Sequence, residues 1–153
     1  MAKKYLSRND FIEQANNKLH RGIYLISGKS GSGKTRLIKE SFSLRSNAKI
    51  FSHREFIEII MFIIKTPPNK ADSRIINSED ILCELFRHIK YIIIEDIDYL
   101  HGKPTTLEIL ATVFLKLTAC GTFIIITGID LEERMEVLLK QVNEYYVVNF
   151  DLH

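Results

Sequence analysis

Residues 28–35 read Gly28-Lys29-Ser30-Gly31-Ser32-Gly33-Lys34-Thr35, a full match to G-x-x-x-x-G-K-[ST]. The match lies between an apolar run that ends at Ser27 and a helical pattern that begins at Lys34. This junction restricts the fold more than any other feature, because it demands a buried strand, a tight loop and a helix in immediate succession. Gly28, Gly31 and Gly33 permit backbone angles that a Cβ would forbid, so successive N–H groups can converge on phosphate oxygens. The helix N-terminus adds partial positive charge. Lys34 is expected to place its ammonium between β- and γ-phosphates, and the Thr35 hydroxyl to ligate Mg²⁺. Gly28, Lys29, Ser30, Gly31, Ser32, Gly33, Lys34 and Thr35 are therefore the predicted phosphate-binding residues, and the ligand they imply is ATP (or ADP) with Mg²⁺.

The rest of the chain supplies the sheet and helices that such a loop needs. Five short runs are rich in Ile, Val, Tyr or Phe: Ile23–Ser27, Ala48–Ser52, 91–96, Phe123–Gly128 and 145–150. Three are almost continuously apolar, as strands buried on both faces are. Helical patterns fall at 9–19, 34–44, His53–Lys65, 78–90, Pro104–Ala119 and 130–141. Ser52 with Glu55, and Thr105 with Glu108, have capping-box spacing. Gly121 follows one helix end, and Asp130 is placed to cap the last helix. Pro67–Pro68 ends the third helix, and 69–77 reads as a loop. In 78–90, Ile81, Leu82, Leu85, Phe86 and Ile89 form one apolar face. Strand and helix thus alternate, which specifies an α/β sandwich around a five-stranded parallel sheet. At 153 residues the chain is one domain's worth.

The second chemical signal is Glu95-Asp96 at the end of Tyr-Ile-Ile-Ile. An acidic pair at the tip of a buried strand is the Walker B arrangement. One carboxylate orients hydrated Mg²⁺ and the next polarises the attacking water. Adjacent strand residues face opposite ways, so the two can serve different targets. Glu95 is assigned to the metal, with Thr35, and Asp96 to the water. The usual order is Asp then Glu. Asp96 is one methylene short for its task, which should slow hydrolysis rather than binding.

The stretch YIIIEDIDYLHGK resembles the second-motif region of the bacterial replication initiator family DnaA, and NAKIFSHREFIEIIMF resembles that family's second strand and helix. The resemblance covers about residues 20–150. It implies the three-layer αβα nucleotide-binding half of an AAA+ P-loop NTPase, with strand order 5-1-4-3-2. It also implies that Lys34 acts catalytically and that Thr127, at the end of the fourth strand, is the polar sensor of the γ-phosphate, with Asp130 the alternative. The family's arginine finger has no counterpart in 138–143, which reads Leu-Leu-Lys-Gln-Val-Asn. Arg134 lies a turn or more earlier. Residues 1–153 are expected to be a single truncated AAA+ domain, without the helical lid or the C-terminal DNA-binding domain.

These departures imply slow ATP turnover by the isolated chain, since an arginine finger contributes several powers of ten. The expected role is in starting DNA replication, or controlling that start, through a partner AAA+ protein such as a full-length initiator. Helicase-loader or transposition-helper ATPases, a non-hydrolysing nucleotide-dependent interaction module, and a small-molecule P-loop kinase are the alternatives. Direct DNA contact is expected only weakly or indirectly. The net charge is +2 and scattered, and His101 and Lys103 read more simply as a solvated turn. Nothing suggests a membrane, because the apolar stretch 56–64 is short and carries Glu58. Cys83 and Cys120 lie outside any metal-binding spacing and read as small buried or half-buried thiols, and with no secretory signal read at the start a cytoplasmic protein is expected.

Overall fold

A computed structural model describes residues 2–17, 22–29, 31–42, 45–65, 83–142 and 144–150. In chain order its elements are β1 (Ala2–Leu6), α1 (Arg8–Asn16), β2 (Ile23–Ser27), α2 (Lys34–Phe42), β3 (Ala48–Ser52) and α3 (His53–Lys65). There follow β4 (Tyr91–Glu95), a 3-10 turn (Ile97–Leu100), α4 (Pro104–Ala119), β5 (Phe123–Gly128), α5 (Leu131–Arg134), α6 (Glu136–Val142) and β6 (Glu144–Asn149). All strand pairs are parallel, in the order β1-β6-β2-β5-β4-β3.

The alternation of side chains along the central strands explains the three layers. Ile23 and Leu25 of β2, Ile92 and Ile94 of β4, and Ile124 and Ile126 of β5 face one way, against α3, α4 and α6. Tyr24, Ile26, Ile93 and Ile125 face the other, against Phe11 of α1 and Leu37, Ile38 and Phe42 of α2. Each of these side chains contributes roughly 1.5–3 kcal/mol through removal from water. Burial on both faces is why the runs read as continuously apolar.

Among the described residues the sheet has six strands, not the expected five. The five foreseen strands stand in the foreseen order, and β1 adds to the outside of β6. Its sequence, AKKYL, lacks a buried run because an edge strand is covered poorly: Lys3, Lys4 and Tyr5 are exposed. Lys3 pairs with Glu132 at 2.7 Å, and the Tyr5 hydroxyl donates to the same carboxylate.

Local signals fared unevenly. The Ser52–Glu55 capping box forms in both directions, at 3.1 and 3.2 Å. The Thr105–Glu108 box does not: α4 starts with Pro104 at its first turn and Lys103 at the cap, with no side-chain capping bond. Its C-terminus closes as foreseen, with Gly121 at φ 96° and the N–H of Thr122 donating to the carbonyl of Leu117. The single helix expected over 130–141 is two, interrupted at Met135, whose fully buried side chain sits where the backbone leaves helical angles. Asp130 occupies the cap position without capping through its side chain. Leu85 is exposed rather than on an apolar face, whereas Phe86 is buried. Pro67–Pro68, the 69–77 loop and the start of the 78–90 helix lie outside the described residues. The cysteines are not free thiols: a disulfide joins Cys83 to the exposed Cys120, just past α4. Among the described residues no helix is long and apolar enough to cross a membrane.

Candidate functional site

The loop between β2 and α2 is shaped by what glycine leaves out. A Cβ on Gly28 would lie 2.7 Å from Cβ of Phe150 and 2.8 Å from Oγ of Ser32. Gly31 and Gly33 take φ of 81° and 103°, which side chains resist. The N–H of Gly28 donates to the carbonyl of Gly128, tying the loop's start to the end of β5. Lys34 is buried, and its ammonium donates to the carbonyls of Gly28 and, at 2.9 Å, Lys29. From outside, Arg8 donates to the Ser32 carbonyl at 3.2 Å, and its guanidinium stacks 4.1 Å over the Phe150 ring. Ser30 lies outside the described residues.

Opposite the loop stand the ends of β4 and β5. Asp96 leaves β4 in the left-handed region, φ 58°, and Asp130 does the same after β5, φ 49°. Both are non-glycine residues in a conformation that costs of order 1–3 kcal/mol, and such strain concentrates at functional sites. The Asp96 N–H donates to Thr127 Oγ1 at 3.3 Å. Asp98, in the 3-10 turn, is only 8% exposed and pairs with Arg134 of α5 at 3.6 Å. Its carboxylate lies against Gly128, where a Cβ would come within 2.5 Å of Oδ1. The Leu131 N–H donates to Ser27 Oγ, so α5 also touches the strand that feeds the loop.

Between these walls lies a cleft of about 530 Å³, lined by Gly31, Gly33, Lys34, Thr35, Asp96 and Asp98, among others. The structure thus brings together Lys34 and Thr35 from one motif and Asp96 from the other. Gly28, Lys29 and Ser32 of the loop do not line it, and two residues foreseen on the acidic side, Glu95 and Thr127, stand back from it. Glu95 is half-buried, and its carboxyl is pushed above the usual carboxylate range by desolvation first and by Asp96 second, with Lys39 opposing. Lys39 lies one turn beyond Thr35 on α2. Thr127 is buried, with its hydroxyl engaged at the Asp96 backbone. Sequence reasoning missed Asp98 and its tie to Arg134. The available signal was the unbranched Gly128 opposite an acid, a pairing visible only once β4 and β5 are neighbours. It also missed Tyr99, which is exposed beside the cleft and stacks on His53 at 5.0 Å.

The donors suit Mg²⁺: the exposed Thr35 shares the cleft with two aspartates, and hard oxygens are its preferred ligands. The raised Glu95 carboxyl is a group that a nearby cation would stabilise in its charged form.

No family model and no curated protein matches the sequence. Solved structures do match. The replication initiator DnaA bound to AMPPCP and single-stranded DNA shares 18% identity at a TM-score of 0.63, over 90% of this chain and 43% of that one. Domain III of the Thermotoga maritima replication initiation protein DnaA shares 16% at 0.66, over 93% and 60%. The Aeropyrum pernix ORC1 protein in complex with DNA shares 16% at 0.54, over 92% and 43%. The chain therefore has a DnaA-like fold, and spans 43% to 60% of the length of these three structures.

Proposed function

We propose, starting from the DnaA-like fold, that this chain is an AAA+ nucleotide-binding unit that takes up ATP with Mg²⁺, hydrolyses it slowly, and acts in or regulates the start of DNA replication through a partner ATPase. The observation that carries this is the cleft itself: a glycine-built loop with Lys34 and Thr35 on one wall, and Asp96 at a strand end on the other. That the similar DnaA structure was obtained with AMPPCP supports the choice of an adenine nucleotide.

In this reading the loop N–H groups and Lys34 hold the β- and γ-phosphates, with the Lys34 ammonium exchanging the loop carbonyls for phosphate oxygens. Thr35 directly, and Glu95 from behind the cleft through an intervening water, are the residues that would hold Mg²⁺, which would supply charge neutralisation at the phosphates. Asp96 accepts a hydrogen bond from a water aligned with the γ-phosphorus. As the water oxygen bonds to phosphorus, the bond to the β–γ bridging oxygen breaks and its electron pair leaves with ADP. The water's proton passes to carboxylate and then to solvent. Thr127 fixes the Asp96 backbone, and through it reports on the γ-phosphate. With Asp96 short in reach and no arginine in 138–143, turnover is slow until a partner contributes one.

One observation favours the rival, non-hydrolysing module: no glutamate lines the described part of the cleft. The cytoplasm remains our proposed compartment, although the Cys83–Cys120 disulfide is a bond that oxidising compartments preserve. Thiol counting on protein from its native source decides between them.

The test is calorimetry with ATP, ADP and GTP in Mg²⁺, beside Lys34→Ala. Saturable ATP uptake that the variant loses supports the reading, and no uptake of any triphosphate sinks it. Turnover is then compared with and without a DnaA-type partner, where failure of every partner to stimulate favours the module.

A further inference from the structure

The cleft contains a second carboxylate that the acidic-pair motif does not account for. Asp98 is nearly buried, lines the cleft beside Asp96, and is fixed on two sides, by Arg134 at 3.6 Å and by contact with Gly128. Arg134 is itself held in place: its backbone carbonyl is 3.4 Å from Nδ1 of His101, and its helix is pinned through Leu131 to Ser27. Asp96, by contrast, is exposed and strained. A buried acid next to a polyphosphate is costly in affinity unless a cation compensates it. A fixed acid, however, is what orientation of a water requires, because geometry must be set before reaction.

We propose that Asp98 is the carboxylate that orients the attacking water together with Asp96, and that Arg134 is a positioning residue of the same chain that holds Asp98 and neutralises it so that the γ-phosphate is admitted. This rests on the ATP reading above and deepens it. The arrangement makes up for the short reach of Asp96 with a second acid from the next turn. The Arg134 guanidinium acts through Asp98 and does not itself touch nucleotide.

The experiment uses the full chain with Mg²⁺, measuring affinity for ATP and for ADP by calorimetry and single-turnover hydrolysis of bound ATP. The variants are Asp98→Asn, Arg134→Ala, Arg134→Lys and the Asp98→Asn/Arg134→Ala pair. Asp98→Asn is expected to slow hydrolysis by about a hundredfold, the lower end for a lost general base, with ATP bound as well or better. Arg134→Ala is expected to weaken ATP about tenfold relative to ADP, because a bare carboxylate then faces the extra phosphate. The double variant is expected to regain the parental ATP/ADP ratio, and Arg134→Lys to keep most of it. Equal losses for ATP and ADP, or a double variant no better than Arg134→Ala, would show a merely structural pair and overturn the proposal. Unchanged hydrolysis in Asp98→Asn overturns the role of Asp98. Absence of ATP uptake by the parent chain instead removes the underlying function, so the two failures are distinguishable. Thermal melts of each variant, with Arg134→Lys as the conservative control, separate misfolding from lost recognition.

Discussion

The two walls of the cleft are built on opposite principles. The loop wall is main chain: glycines where a Cβ would collide or φ is positive, one lysine, one threonine. The acidic wall is side chain: Asp96 on a strained backbone, Asp98 held by Arg134, and Thr127 spent on the N–H of Asp96. A wall made of backbone binds whatever offers phosphate oxygens at the right spacing. A wall made of carboxylates discriminates, because each acid must be oriented and its charge compensated. Binding should therefore depend chiefly on the first wall, and reaction on the second.

The largest expected effect is on the loop wall. Lys34→Ala should weaken ATP about ten- to a hundredfold, on the scale of the 1.5–3 kcal/mol of hydrogen bonds to a charged group, as calorimetry would show. A loss of threefold or less would mean that the loop wall does not dominate binding. Gly128→Ala attacks the other wall, pushing a methyl to 2.5 Å from Asp98 Oδ1 and 2.7 Å from Leu131. It should cost about 1–3 kcal/mol in stability, read by denaturant titration, while phosphate uptake persists. Thr127→Val removes the acceptor for the Asp96 N–H and should cost about 1 kcal/mol, with turnover falling more than affinity. If affinity falls more, the division of labour between the walls is wrong.

The pH dependence of Glu95 sharpens the contrast further. Its carboxyl is raised by desolvation and by Asp96, so the folded chain binds the proton more tightly than the unfolded chain does. Stability contributed by the protonated form is present below the ordinary value of 4.5 and declines as pH rises from there through the raised folded value. Thermal melts across weakly acidic pH should show this decline without Mg²⁺, and Glu95→Gln should flatten it. The smallest effect is expected from Arg8→Ala. Its guanidinium steadies the Ser32 carbonyl from an exposed position, so ATP affinity should fall only about two- to threefold, as for one solvent-screened contact.

The same contrast explains what could be read from the sequence. The loop wall is local: eight consecutive residues carry it, and the flanking apolar runs of β2, β4 and β5 are buried as they promised. Strand order followed from the resemblance. The edge strand β1 escaped because AKKYL keeps polar side chains in water and has no apolar run to announce it. The break at Met135 escaped because Leu131, Leu138 and Leu139 preserve a helical repeat across it. Asp98 escaped for a different reason. Its burial, its contact with Gly128 and its pairing with Arg134 join residues 30 and more positions apart, and no local pattern encodes them. The disulfide between Cys83 and Cys120 is of the same long-range kind.

The left-handed aspartates set a limit on how far this chain can be hardened against heat. Glycine at 96 or 130 would relax a kink worth of order 1–3 kcal/mol, and would delete a carboxylate in the same stroke. A library selected for thermal endurance alone would be expected to drift to glycine at both places, yielding sturdier molecules with a quieter centre. Retention of acid at 96 under such selection, once activity is also required, would mark where durability is surrendered to chemistry.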